Sequence, residues 1–227
     1  MKRPSLVLPI ILFLHATAPP AWAQTTLSLT GGLNRTTMTA DPPDGAVWRS
    51  ESLTRMSVGL AATLPASEHL GLQLGVAYSQ KGGRLRGLDG DAFVTTEIAL
   101  DYFEFSLLAV PTFALSSWDR SAARFFLGPT LASRIDCDFH ASARLGKEQV
   151  AASGGCDAGG RDEVEAAMDL GVVVGGGIAF GVAERADVSV DLLYTLGLIP
   201  VGGADSYWGG PRQRVLTLRT GVALPVG

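Results

Sequence analysis

The sequence predicts an all-β protein, an eight-stranded antiparallel up-and-down transmembrane β-barrel. Three features carry that expectation. Apolar side chains recur at every second position in segment after segment, with Gly, Ser and Thr in the alternate places, which is the period of a strand with two unlike faces. Long polar connections alternate with short turns, as in barrels whose loops are long on one side of a membrane and short on the other. Aromatic residues gather where the apolar faces begin and end, the place of an interfacial girdle.

The chain opens MKRPSLVLPIILFLHATAPPAWAQ, with a basic start (Lys2, Arg3), an apolar stretch from Leu6 to Ala16 and a small-x-small end at Ala21-Trp22-Ala23. Residues 1–23 are expected to be a secretory signal peptide, cut before Gln24. The apolar stretch is shorter than the roughly 20 residues a spanning helix needs, and no Cys follows the cut to take a lipid anchor. One exported domain, residues 24–227, is expected to follow.

Eight alternating segments fill that domain. Thr26 to Asn34 sets Leu27, Leu29 and Leu33 on one face; Leu53 to Leu64 sets Met56, Val58, Leu60, Ala62 and Leu64 against Arg55, Ser57 and Gly59. Leu70 to Ser79 opposes Leu72, Leu74, Val76 and Tyr78 to Gly71, Gln73, Gly75 and Ala77. A long segment runs from about Thr95 to Phe113, and Arg124 to Ile135 follows with Phe125, Leu127 and Leu131 on its apolar face. Val164 to Phe180, Asp187 to Leu196 and Arg214 to Leu224 complete the set, an even and closable number.

Long connections are expected over residues 35–52, 80–94, 136–163 and 197–213, and short turns over 65–69, 114–123 and 181–186. Tyr78, Tyr102 and Tyr194 should then mark one membrane boundary, and Phe113, Phe125 and Phe180 the other. A soluble lipocalin-like barrel would instead turn the apolar face inward, leaving Gly, Ser and Ala on a solvated surface. Small residues suit a crowded lumen better.

Hydrophobic residues make up 47% of the chain, yet charges interrupt every stretch after the leader. An apolar exported chain without a candidate helix points to spanning by strands. Removing Lys2 and Arg3 takes the formal charge from -4 to -6, which leaves no basic excess for a nucleic-acid partner.

Alternation turns Arg55, Arg124, Arg134 and Arg219 into the lumen with Glu97, Asp101, Glu104, Asp169, Asp187 and Asp191. Charges at membrane depth need partners, so an ion-paired plug is expected, with a narrow pore as the alternative. The stretch LDYFEFSLLAVP, Leu100 to Pro111, departs from simple alternation. Glu97 and Asp101 share a parity opposite Ile98, Leu100 and Tyr102, whereas from Phe103 onward the apolar residues hold the other parity. A β-bulge near Tyr102 and Phe103 is expected to absorb the change and turn both Asp101 and Glu104 inward.

Three stretches resemble the PorT-like family of small outer-membrane β-barrel proteins: GLQLGVAYSQKGGR (Gly71 to Arg84), LDYFEFSLLAVPTF (Leu100 to Phe113) with FFLGPTLASR (Phe125 to Arg134), and MDLGVVVGGGIAFG (Met168 to Gly181). The resemblance implies a barrel in the outer membrane of a Gram-negative envelope and implies no particular activity. The chain departs from many such barrels in ending LRTGVALPVG, without a terminal aromatic residue.

Cys137 and Cys156 stand alone in the chain. In an oxidising compartment they are expected to form a disulfide. A metal site of Cys137, His140 and Cys156 is the alternative, although its spacing matches no compact zinc pattern. His140-Ala141-Ser142 is similar to the His-x-Ser of outer-membrane lipid A deacylases, with His as base and Ser as nucleophile; Glu148 or Glu163 would have to orient the His. The Gly175-Gly176-Gly177 run reads as a bend or bulge, and His69 as a solvated turn residue. No catalysis, cofactor or metal is expected. The expectation is a monomer meeting lipid and lipopolysaccharide, with its loops facing an envelope or surface protein.

Overall fold

A computed structural model describes residues 24–39, 47–115, 120–156, 168–183, 185–200 and 212–226. The expected leader, Glu163 and Val164 lie outside the described residues. Ten strands are present among the described residues: β1 (Thr25–Thr39), β2 (Val47–Glu51), β3 (Leu53–Ser67), β4 (Leu70–Asp89), β5 (Ala92–Ala114), β6 (Ser121–Leu145), β7 (Glu148–Gly155), β8 (Met168–Ala183), β9 (Ala186–Gly197) and β10 (Arg212–Val226). Eight of them close an antiparallel ring in the order β1-β3-β4-β5-β6-β8-β9-β10, with β10 returning to β1 from Thr25↔Val226 to Thr39↔Arg212. The chain is an eight-stranded transmembrane barrel, and the alternation explains why it closes. Leu29, Leu60, Leu127, Val174 and Leu218 stand about half exposed on its outside, while Asn34, Gln73, Ser79, Asp169 and Asp191 are buried within.

The two extra strands correct the expected loops. Strands β4, β5 and β6 have 20, 23 and 25 residues, about twice the 9–11 that cross a bilayer when tilted. They run on past the ring instead of breaking into loops. Here β2 takes over from β3 beside β4, pairing Glu51↔Arg84 to Val47↔Leu88 where the β3 ladder has ended at Ser57↔Ser79. Likewise β7 pairs with β6 from Asp138↔Gly155 to Leu145↔Glu148, beyond the end of the β6–β8 ladder at Ser133↔Met168. The result is a five-stranded extension, β2-β4-β5-β6-β7, raised above one side of the barrel. Its two tips are Gly90-Asp91 and Gly146-Lys147, with each Gly at φ +60, the backbone that two-residue hairpin turns demand.

Two expectations about backbone irregularity are overturned. The β4–β5 ladder is unbroken from Leu70↔Pro111 to Asp89↔Ala92, so β5 carries no bulge at Tyr102 and Phe103. The irregularity lies across the ladder in β6, where Asp101 faces Asp136 and Tyr102 faces Arg134, leaving Ile135 unpaired. Nor does Gly175-Gly176-Gly177 bend β8, because all three pair in register with both β6 and β9. Their value is clearance: a Cβ on Gly177 would lie 2.2 Å from Asp191 Oδ1, and one on Gly175 2.6 Å from Leu193 Cδ2.

Candidate functional site

Inside the ring the side chains form stacked layers. At the extended end, Met38, Ile98, Leu100, Tyr102, Ala132 and Cys137 make an apolar cluster, and Gln213 Nε2 donates to the Tyr102 hydroxyl at 3.2 Å, linking β10 to β5 across the lumen. Beneath it Lys81, 2% exposed, donates to Glu104 at 3.1 Å, lies 3.8 Å from Asp169 and sits 5.1 Å from the Tyr102 ring centroid. Asn34 donates to Ser79 Oγ at 3.1 Å and accepts from Thr217 Oγ1 at 2.9 Å. A second apolar cluster, Leu108, Val110, Phe126, Val173 and Leu193, fills the wall below. Asp191 then receives Arg124 at 2.8 Å and Arg219 at 3.0 Å, and both guanidiniums lie over the Phe126 ring. Between Asn34, Lys81, Glu104 and Arg219 a cavity of about 90 Å³ remains, large enough to admit water.

Of the residues expected in a lumen network, Glu104, Arg124, Asp169, Asp191 and Arg219 meet partners there. Arg134 occupies the ladder position opposite inward-facing Tyr102. Asp187 shares the inward parity of Ser189 and Asp191 and makes no ion pair among the described residues. Lys81, the cation that joins Glu104 to Asp169, lies within residues 80–94, where the sequence pattern predicts a loop.

Four residues are corrected: Tyr102, Glu97 and Asp101 by the face they take, and Arg55 by its partner. Because β5 keeps one parity throughout, buried Ile98, Leu100 and Tyr102 continue the inward face of Glu104, Leu108 and Val110. Tyr102, expected at the membrane interface, is fully buried in the lumen. Glu97 and Asp101, expected inside, take the outer face. The sequence pattern inverts there because the solvent does: below Phe103 the outside is lipid, and above it the outside is water while the inside is closed by apolar side chains. Strand β6 shows the same reversal, with Leu127 and Leu131 outward in the lower half and Asp136, Asp138 and His140 in the upper.

On this upper outer face Glu97 accepts from Arg55 Nη2 at 3.1 Å and from Arg84 Nε at 3.0 Å. Glu51 accepts from Arg86 Nη1 at 3.0 Å and lies 3.7 Å from Arg84. Arg55, the ladder partner of buried Asn34 on β3, thus directs its charge to this cluster and makes no ion pair with the lumen acids among the described residues. The Glu97 hydrogen bond is the main cause that holds the Arg84 guanidinium above its ordinary pKa. Beside the cluster an open cleft of about 400 Å³ is lined by Arg84, Arg86, Glu97, His140, Ser142 and Ser153.

His140 and Ser142 therefore lie on strand β6, not in a loop. Glu97 is the ladder partner of His140, and Ser142 faces Thr95. Glu148, guessed as the orienting acid, begins β7 at the hairpin tip opposite Leu145, away from His140. Among the described residues no hydrogen bond joins His140 to Glu97 or to Ser142. The expected metal alternative also fails: Cys137 and Cys156 form a disulfide, with Cα atoms 5.5 Å apart, and Cys137 points inward beneath Leu100 while His140 points out. The bridge ties the end of β7 to β6.

The remaining aromatics keep the outer face. Tyr78 donates its hydroxyl to Asp101, and Tyr194, Phe113 and Phe125 are each at least a third exposed. Phe180 is half-buried on the same parity as Ile178. Phe113 and Phe125 meet edge to face at 6.1 Å, and His69, read as merely solvated, stacks on Phe113.

Residues 22–202 match the model of the outer membrane protein beta-barrel domain. No curated protein matches the chain. Among solved structures it is similar to the outer membrane protein OprG from Pseudomonas aeruginosa, at 14% identity over 90% of this chain and 96% of that one, with a TM-score of 0.47. Neisserial surface protein A is similar at 14% identity, 88% and 97% coverage and a TM-score of 0.42. The outer membrane enzyme PagL is similar at 13% identity, 88% and 99% coverage and a TM-score of 0.39.

Proposed function

Because the chain belongs to the outer membrane protein beta-barrel domain family, we propose that it serves as a non-catalytic barrel of the outer membrane, of the PorT-like kind, which holds an interaction surface clear of the bilayer. One observation carries this reading. The strand length beyond what a membrane needs is built into an ordered sheet, with two-residue turns and a disulfide, above a lumen that side chains fill. A plugged barrel makes a poor conduit, whereas a sheet fixed to it presents the same side chains in the same places, as an interaction surface requires. The extension stands where lipopolysaccharide headgroups and envelope or surface proteins are within reach.

A lipid hydrolase at His140 and Ser142 is the second reading, and the placing of Glu97 across the ladder from His140 favours it. Against it, Glu97 is engaged by two guanidiniums. Incubating the purified barrel with lipopolysaccharide and following released acyl chains by mass spectrometry tests it; no release is expected.

Surface presentation has a direct test, because after residue 23 the chain has two lysines, Lys81 and Lys147. Lys81 is buried in the lumen and Lys147 is exposed at the β6–β7 tip. A membrane-impermeant amine reagent applied to intact cells is expected to label one lysine side chain, and Lys147→Arg to abolish that label. Labelling that appears only after the outer membrane is broken would reverse the proposed orientation.

A further inference from the structure

We propose that the cleft on the outer face of the extension binds the phosphate groups of a phosphorylated saccharide. The proposal rests on the reading of that face as an extracellular interaction surface. Arg49, Arg55, Arg84 and Arg86 share this region with Glu51 and Glu97, so four guanidiniums against two carboxylates leave a formal excess of two positive charges, in a chain whose net charge is -4. Asp101, Asp136 and Asp138 lie on the same face but toward the membrane end of the ladder. The basic excess therefore lies between these acids and the hairpin tips, where Asp91, Lys147 and Glu148 stand.

The arrangement within the cluster suits an anion. Arg49 and Arg86 are direct ladder partners, and like charges placed opposite one another destabilise a sheet. Glu51 answers Arg86, but Arg49 is exposed without an ion pair among the described residues. Arg86 Nε is buried and has no hydrogen-bond partner. Arg84 is held in place by Glu51 and Glu97. Guanidiniums fixed in this way offer planar pairs of donors suited to phosphate oxygens.

The rest of the cleft speaks for a sugar. Ser142, Ser153, Thr95 and His140 line its floor, supplying hydroxyl and imidazole groups that donate and accept in turn. Its volume of about 400 Å³ falls within the range of small-ligand sites. It opens sideways above the lipid belt, where phosphorylated sugars of the barrel's own membrane would lie, and soluble ones have equal access.

The test uses the full barrel in detergent micelles and titration calorimetry with three probes: core oligosaccharide released from lipopolysaccharide, the same oligosaccharide after phosphatase, and inorganic phosphate. The phosphorylated oligosaccharide is expected to bind, with affinity falling as salt rises. Arg49→Gln and Arg86→Gln are each expected to weaken it at least tenfold, while Arg185→Gln, in the turn between β8 and β9, leaves it unchanged. Heat-modifiable gel mobility shows whether each variant is folded. Binding that survives phosphatase, or that ignores both arginine variants in folded protein, overturns the proposal, and inorganic phosphate binding as tightly removes the sugar from it. Failure here with Lys147 labelled on intact cells sinks the site and leaves the surface reading standing.

Discussion

At the scale of single residues, Asp191 and Gly177 form one device. Asp191 is 1% exposed and is the shared acceptor of Arg124 and Arg219. Arg124 reaches it from β6 across β8, and it passes over Gly177, the ladder partner of both Arg124 and Asp191. Any side chain on Gly177 would occupy that path. Asp191→Asn leaves two buried guanidiniums without a counter-charge and is expected to destabilise the barrel by about 3 kcal/mol, the usual cost of breaking a buried pair from one side. Gly177→Ala is expected to cost about 1–3 kcal/mol through overpacking, since its Cβ would also lie 2.6 Å from the Val190 carbonyl oxygen. Gly176→Ala is the internal control: its Cβ would find its nearest neighbour at 3.5 Å, on the outer face, and stability should hardly change. Urea midpoints read by heat-modifiable mobility rank the three variants, and a Gly176 variant as damaged as the Gly177 variant would refute the clearance argument.

At the scale of elements, the β6–β7 hairpin shows what a disulfide does at the edge of a sheet. Strand β7 pairs with β6 alone, so that single ladder and the Cys137–Cys156 bridge hold it in place. In the chain-entropy model a bridge closing about 20 residues is worth roughly 3 kcal/mol, and here that is concentrated on one hairpin. Replacing both cysteines with Ser is expected to leave heat-modifiable mobility intact but to speed tryptic cutting at Arg144 and Lys147 severalfold; unchanged cutting would mean the ladder suffices. This hairpin is also where the sequence reading stops. Leu72, Leu74 and Val76 could be read as lipid-facing because one polarity rule holds along the whole spanning part of β4. Beyond Tyr78 and Phe103 the rule reverses, so a rule that assumes lipid outside puts Glu97, Asp101 and Tyr102 on the wrong faces. A bulge was needed only to preserve that assumption. Local signals for the extension were present in Gly90-Asp91 and Gly146-Lys147, each a two-residue turn between alternating runs. Lys81 was missed with them, since a residue assigned to a loop has no face.

At the scale of the whole molecule, the decisive property is that the lumen is blocked more than once. The apolar cluster around Leu100 and Tyr102, the Lys81–Glu104–Asp169 cluster, and the Phe126 layer with Arg124, Arg219 and Asp191 each close the interior with different chemistry. An eight-stranded ring leaves an interior that side chains just fill, and the cavity of about 90 Å³ that remains is lined by polar groups and by Leu108, Val173 and Leu193 together. Ion flow would need a continuous wet path, and desolvating an ion at either apolar layer is costly. Planar bilayers with the purified barrel are therefore expected to stay silent. Truncating one layer should not change that: Tyr102→Ala leaves the Phe126 layer in place, and Phe126→Ala leaves the upper cluster. Even the double variant, folded by the gel criterion, keeps the Lys81–Glu104–Asp169 cluster and is expected to stay closed. Stepwise conductance from the unmodified protein, or from either single variant, would mean the layers move as one gate, and the barrel would have to be treated as a regulated pore.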